Sequence, residues 1–178
     1  MRHIRTFGTF LFEGKSMATI YHFTMFDSLE SILDEDRMES SAMFDYISFT
    51  RNPIFTFHNL GGRRTVRISF DGDAMSDKFS FQPFMYDPDK DPMYYDPEHM
   101  DYRERRELYG EEREERIKKK EIHGIKKYIT LIELIRNPKD QDFEKRMTIM
   151  EKENPEIAFR IVGSFTLPSQ EHFGKMAA

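Results

Sequence analysis

The chain contains no cysteine and no tryptophan. Without cysteine there is no disulfide, no thiol nucleophile and no thiolate metal site. The composition is compatible with a reducing cytosol, so a cytoplasmic location is expected. No run of about 18 apolar residues occurs, so no membrane span is expected. Met1 to Lys15 mixes basic and apolar residues without a long apolar core, which makes it a poor signal peptide. Basic residues are not in excess: 27 Lys and Arg stand against 32 Asp and Glu, a formal net charge of -5. That balance argues against a sequence-independent nucleic-acid binder with a broad basic face. No GxGxxG, Walker, HExxH or GxSxG pattern is present, and the enzyme classes built on them lose weight. His3, His58, His99, His123 and His172 lack metal-ligand spacing. The acidic segment Asp87-Pro88-Asp89-Lys90-Asp91 lacks the glycine and the closing glutamate of a calcium loop. No metal is expected.

What the chain has instead is aromatic mass. Seventeen Phe and eight Tyr fill a core without much Leu or Val, and twelve Met add adaptable filler. At 178 residues it is long enough for one domain with a real core. Met17-Ala18-Thr19 reads as a second plausible start. Residues 1–16 are therefore expected to be an N-terminal extension, with Thr6 to Phe12 as a strand, and residues 17–178 a single domain.

Local patterns predict the elements of that domain. Ala18 to Thr24 reads as a strand. Asp27-Ser28-Leu29-Glu30 reads as a capped helix start, with Leu29, Ile32 and Leu33 at helical spacing up to about Asp36. Phe44 to Thr50 is a strand ended by Asn52-Pro53. Gly61-Gly62-Arg63-Arg64 is a turn, Thr65 to Phe70 a strand, Asp71-Gly72-Asp73 a turn, and Phe79 to Met85 a strand. Asp87 to Asp101 is a long loop rich in Asp, Pro and Tyr. Tyr102 to Lys120 is partly helical, or enters a strand from Glu112. Lys127 to Ile135 is a strand, Asp142 to Lys152 a helix with Phe143, Met147 and Met150 on one face, and Ile157 to Val162 a final strand. The sum is an α+β domain in which strands outnumber helices.

Three places carry chemistry. His22 lies mid-strand and shares a strand face with Thr24. It is either a half-buried imidazole satisfied by a neighbour or a group that holds a ribose hydroxyl or a carbonyl. Ser48, Thr50 and Asn52 share one face, with Ile47 and Phe49 on the other. They form either a hydroxylated surface or the polar floor of a site. Arg51 follows as an exposed cation or as the grip for a phosphate or carboxylate. Glu111, Glu112, Glu114 and Glu115 lie among Arg113, Arg116 and Lys118 to Lys120. They form either a solvated helix with i,i+4 pairs or the source of one carboxylate aimed into a cleft. If the stretch is a strand, Glu112 and Glu114 share a face, and Glu115 shares the other with Ile117.

Taken in order, these motifs resemble the ADP-ribosyltransferase family, in particular its DarT-like and small phage-encoded branch. Tyr21-His22-Phe23-Thr24, followed by the Leu29-x-x-Ile32-Leu33 helix, is similar to the opening of that group. Tyr46-Ile47-Ser48-Phe49-Thr50-Arg51-Asn52 is similar to its second motif, and Glu114-Glu115-Arg116-Ile117 to the strand that carries the acid. The resemblance spans residues 18 to about 135. It implies split β-sheets with a few flanking helices, and NAD as substrate. Its acceptor would be a host protein or nucleic acid, without membrane involvement. It also suggests a phage host-takeover or anti-defence setting. The site it implies has Glu114 as the acid and Glu115 second, with Arg51 assisting. His22, Thr24, Ser48, Thr50 and Arg51 line the dinucleotide, and Tyr86, Tyr94 or Tyr95 stack on a ring or select the acceptor. The alternative is a non-catalytic inhibitor that reuses the scaffold and engages a host partner through an acidic surface. A metal-dependent nuclease is a weaker third possibility.

Overall fold

β-Branched and aromatic residues alternating with polar ones produce most of the observed strands, because each strand buries one face. The computed structural model describes residues 17–42, 44–54, 64–83 and 114–165. Their elements in chain order are β1 (Thr19–Thr24), α1 (Phe26–Glu35), β2 (Arg37–Glu39), β3 (Ile47–Thr50), β4 (Val66–Asp71), α2 (Gly72–Ser76), β5 (Phe81–Pro83), β6 (Glu114–Ile117), β7 (Glu121–His123), a 3₁₀ turn (Lys126–Tyr128), β8 (Ile129–Ile135), α3 (Phe143–Glu153) and β9 (Ala158–Val162). The expected extension of residues 1–16, with its strand, lies outside the described residues. So do Tyr86, Tyr94, Tyr95 and the long acidic loop.

Seven strands form one mixed sheet in the order β5-β6-β3-β1-β4-β8-β9, and β2 pairs with β7 in a second, two-stranded sheet. Neighbours in the large sheet are antiparallel except β8 and β9. Those two are parallel, and α3 supplies the crossover that parallel neighbours need. The sheet is not zipped evenly. β1 pairs with β4 over its whole length, from Thr19↔Asp71 to Thr24↔Val66. It pairs with β3 only at Tyr21↔Thr50. A four-stranded half and a three-stranded half therefore meet at one residue pair, and the sheet is split there.

One apolar cluster joins the halves. The α1 residues Phe26, Leu29, Ile32 and Leu33 are buried with Ile20, Ile47, Phe49, Ile68, Phe70, Ile117, Ile132 and Leu134 from the sheet. Phe49 stacks edge-on against Phe70 and Phe81, so one ring bridges both halves. Met147 and Met150 of α3 are buried in the same cluster, as their helical spacing predicts. No helix among the described residues is long and apolar enough to cross a membrane. The chain is a single α+β domain.

Several elements differ from the pattern-based expectation. Helix α1 starts at Phe26, its N-cap is Met25, and no side chain caps it. Asp27 and Glu30, expected to cap, instead both take Arg146 of α3. A tertiary cation outcompetes the local box because it satisfies two carboxylates at once. The Asp71-Gly72-Asp73 turn opens the short helix α2, with Asp71 Oδ1 accepting from the Ala74 N–H at 2.9 Å. Gly72 is required there, since a Cβ would stand 2.5 Å from the Ala18 carbonyl oxygen. Asp73 Oδ1 accepts from the Met17 N–H at 2.5 Å and hooks down the start of β1. Lys127 belongs to a 3₁₀ turn rather than to β8. The β2–β7 ribbon, too short for periodicity to reveal, was not expected at all.

Candidate active site

Glu114 and Glu115 lie in a strand, not on a solvated helix. β6 pairs with β3 in the register Ile47↔Ile117, Ser48↔Arg116, Phe49↔Glu115 and Thr50↔Glu114. Paired residues share a sheet face, and successive residues alternate. Tyr21, Thr50 and Glu114 therefore form one row across the split, with Ser48 and Arg116 on the same face. Phe49, Ile117, Glu115 and Arg51 belong to the opposite face.

Ser48 is the hub of the first face. Its hydroxyl donates to Glu114 Oε1 at 2.5 Å. Arg116 donates to the same carboxylate through Nε to Oε1 at 2.9 Å and Nη2 to Oε2 at 3.0 Å. The guanidinium lies 4.0 Å from the centroid of the Tyr46 ring. Both acids of β6 are 6% exposed. Charge-assisted bonds contribute roughly 1.5–3 kcal/mol each, which offsets the cost of holding Glu114 so far from water.

The Ser48 backbone holds the imidazole. His22 Nδ1 is 2.9 Å from the Ser48 carbonyl oxygen. A carbonyl only accepts, so Nδ1 carries the proton and Nε2 keeps its lone pair. Burial is the main force that pushes His22 down from 6.5 to about 4, with the Arg64 charge adding to it and the bond to Ser48 opposing it. The ring is neutral at physiological pH. It packs against Phe49, with centroids 6.0 Å apart, beside the place where β1 and β3 part. Thr24, buried on the same strand face, is aligned with Val66 of β4.

On the opposite face Arg51 Nε donates to Glu115 Oε1 at 2.8 Å, and Nη2 meets Met17 Sδ at 2.9 Å. Burial raises the Glu115 carboxyl above its usual value, although the Arg51 charge and hydrogen bond pull it down. Desolvation wins in this pair. Thr50 is buried and its Oγ1 accepts from the Asn52 N–H at 2.9 Å, while Asn52 Oδ1 accepts from the Ile54 N–H at 3.1 Å. The exit of β3 is thus a pair of tied turns, and Arg51 projects from it.

The turn has a second anchor that pattern reading missed. Arg67 and Glu133, 2% and 4% exposed, form an ion pair across β4 and β8. Arg67 Nε donates to Glu133 Oε2 at 2.7 Å, and Nη1 donates to the Pro53 carbonyl beyond Arg51. The Arg67 guanidinium also lies over the Tyr21 and Phe165 rings. A signal existed in the sequence. Thr65-Val66-Arg67-Ile68-Ser69-Phe70 and Thr130-Leu131-Ile132-Glu133-Leu134 each carry one charge inside an otherwise uncharged strand, and a charge so placed needs a partner.

A sheet of order β5-β6-β3-β1-β4-β8-β9, parted between β1 and β3 with helices outside it, is similar to the ADP-ribosyltransferase fold. No family model and no curated protein matches the chain. Among solved structures, DarT of Thermus sp. 2.9 in complex with NAD+ superposes with a TM-score of 0.54 and 14% identity. The match covers 84% of this chain and 98% of that one. At that identity the likeness is one of fold.

Proposed function

We propose that the protein is an ADP-ribosyltransferase that takes NAD as substrate and passes ADP-ribose to a nucleophile on a protein or nucleic acid. The single observation that carries this reading is the convergence on Ser48. Its carbonyl takes the imidazole of His22 and its hydroxyl takes the carboxylate of Glu114, at the split in the sheet. The NAD complex of the DarT neighbour supports the choice of substrate class.

The chemistry follows from those groups. The bond between the ribose carbon and the nicotinamide nitrogen breaks, and its electron pair leaves with nicotinamide as the neutral pyridine. The ribose carbon and ring oxygen share the resulting positive charge, as in glycoside hydrolysis. Glu114 is the carboxylate that stabilises that charge and orients a ribose hydroxyl. His22, neutral and with Nε2 as an acceptor, takes a second ribose hydroxyl. The acceptor then bonds to the ribose carbon and loses its proton. Ser48 and Thr50 form the floor beside the nicotinamide. Glu115 is the counter-ion of Arg51, and Arg51 is the cation nearest the strand end for the diphosphate. Tyr86 is assigned to ring stacking, as the family resemblance implies.

The test is to incubate the protein with NAD carrying a label on the nicotinamide or on the adenylate. Wild type is expected to release nicotinamide and to be stabilised against heat by NAD, and Glu114→Gln to fold normally and release none. Equal release by both proteins removes Glu114 from the role. No release and no stabilisation by wild type, with a tight protein partner recovered, favours a non-catalytic inhibitor on the same scaffold.

A further inference from the structure

We propose that Arg116, stacked on Tyr46, is the positioning residue that fixes the catalytic carboxylate and leaves it one open acceptor position; the inference rests on the reading of Glu114 as the acid. A carboxylate offers about four acceptor positions. Ser48 Oγ and Arg116 Nε occupy two on Oε1, and Arg116 Nη2 occupies one on Oε2. Among the described residues one position on Oε2 remains, which is what a single ribose hydroxyl requires.

The geometry explains why this residue is an arginine. Only a planar fork reaches both oxygens of one carboxylate through two parallel bonds. A lysine at 116 would bring a point charge without fixing the carboxylate plane. The side chains of Arg116 and Glu114 are 14% and 7% exposed, so the pair works in a medium where orientation is held rather than averaged by water. Tyr46 locks the guanidinium from its face, at 4.0 Å. Tyr46 itself stacks on Phe44 at 5.1 Å, so the segment entering β3 carries the clamp. Arg116 grips both oxygens of the carboxylate, and in this proposal it acts through Glu114.

The experiment measures kcat and KM for nicotinamide release by wild type, Arg116→Ala, Arg116→Lys and Tyr46→Leu, together with unfolding midpoints. The expected result is a kcat roughly 10- to 100-fold lower in Arg116→Ala and Arg116→Lys, the scale of a misplaced catalytic group, with KM within about twofold of wild type. Added guanidinium ion is expected to restore Arg116→Ala in part, whereas ammonium does not. Tyr46→Leu keeps the charge and loses the stack, so it falls between. Unchanged kcat in folded Arg116→Ala and Tyr46→Leu overturns the proposal while leaving Glu114 as the acid. So does a loss that tracks the unfolding midpoint and is not rescued by guanidinium. A wild type that releases no nicotinamide overturns the functional reading, and the role of Arg116 falls with it.

Discussion

Glu114 and Glu115 are adjacent in sequence, equally buried and each paired with an arginine, yet they belong to opposite faces of β6. Glu114 is gripped at both oxygens and shares a hydroxyl with the strand that also holds His22. Among the described residues Glu115 has one donor, the Arg51 Nε, and burial still raises its carboxyl above the ordinary value. Burial and an arginine partner are common to both acids, so neither feature singles out Glu114 for the role proposed for it. What differs is the bonding: Ser48, whose carbonyl holds His22, donates its hydroxyl to Glu114, whereas Glu115 lies on the other face of β6 and takes Arg51.

The sharpest way to break this comparison is to neutralise each acid in turn. Glu114→Gln is expected to lower nicotinamide release by about 10³-fold or more, on the scale of several kcal/mol of transition-state stabilisation. Glu115→Gln is expected to keep release within about tenfold of wild type. The reverse order in a steady-state assay exchanges the roles of the two acids.

A second contrast sets the Arg51–Glu115 pair against the Arg67–Glu133 pair. Arg67 is almost fully buried, whereas the Arg51 side chain is 28% exposed. Among the described residues Arg67→Met leaves Glu133, held away from water, with only the 3.5 Å contact to Arg160, and is expected to cost about 3–5 kcal/mol in denaturant unfolding. Arg51→Met leaves Glu115, which burial already drives toward its neutral form, and is expected to cost about 1 kcal/mol or less. Equal costs erase the distinction between the pairs.

His22 and Glu115 share a sheet face and respond to acid with opposite signs. The folded-state value of His22 is depressed from 6.5 to about 4. Below about pH 6.5 the unfolded chain takes up a proton that the folded chain refuses. Stability is therefore full above that pH and falls, by roughly 3 kcal/mol in all, as the pH drops toward 4. Glu115 is raised, so its contribution is fully present below its unfolded value and is lost as pH rises through the folded one. Urea midpoints from pH 7 to pH 4 check the first: His22→Gln, which can still donate to the Ser48 carbonyl, is expected to flatten the decline. The smallest effect belongs to the second. Glu115→Gln is expected to be as stable as wild type at pH 4 and slightly more stable at pH 7, and a clear loss at pH 7 contradicts the dominance of desolvation there.

Much of the fold was legible in local patterns. The strand at Tyr21-His22-Phe23-Thr24, the helix through Leu29, Ile32 and Leu33, and the helix carrying Phe143, Met147 and Met150 all rest on periodicities of two or 3.6, and neighbours along the chain suffice to produce them. Asp27 and Glu30 show where local reading stops. Their capping pattern is real, but Arg146, more than a hundred residues away, takes both carboxylates. The β2–β7 ribbon is three residues wide on each side and has no period to detect.

By itself the sequence determined which residue types the candidate site could draw on: an imidazole and two hydroxyls in segments whose alternation makes them strands, and a pair of acids in a stretch it left open between helix and strand. Only the tertiary structure decided that Ser48 joins His22 to Glu114, that Arg116 and Tyr46 stand behind that acid, and that Glu115 answers Arg51 instead. The physical reason is register. A strand's own period places its side chains on two faces, but which residues become neighbours across the sheet is set by pairing with other strands, and a shift of one residue would exchange the two glutamates.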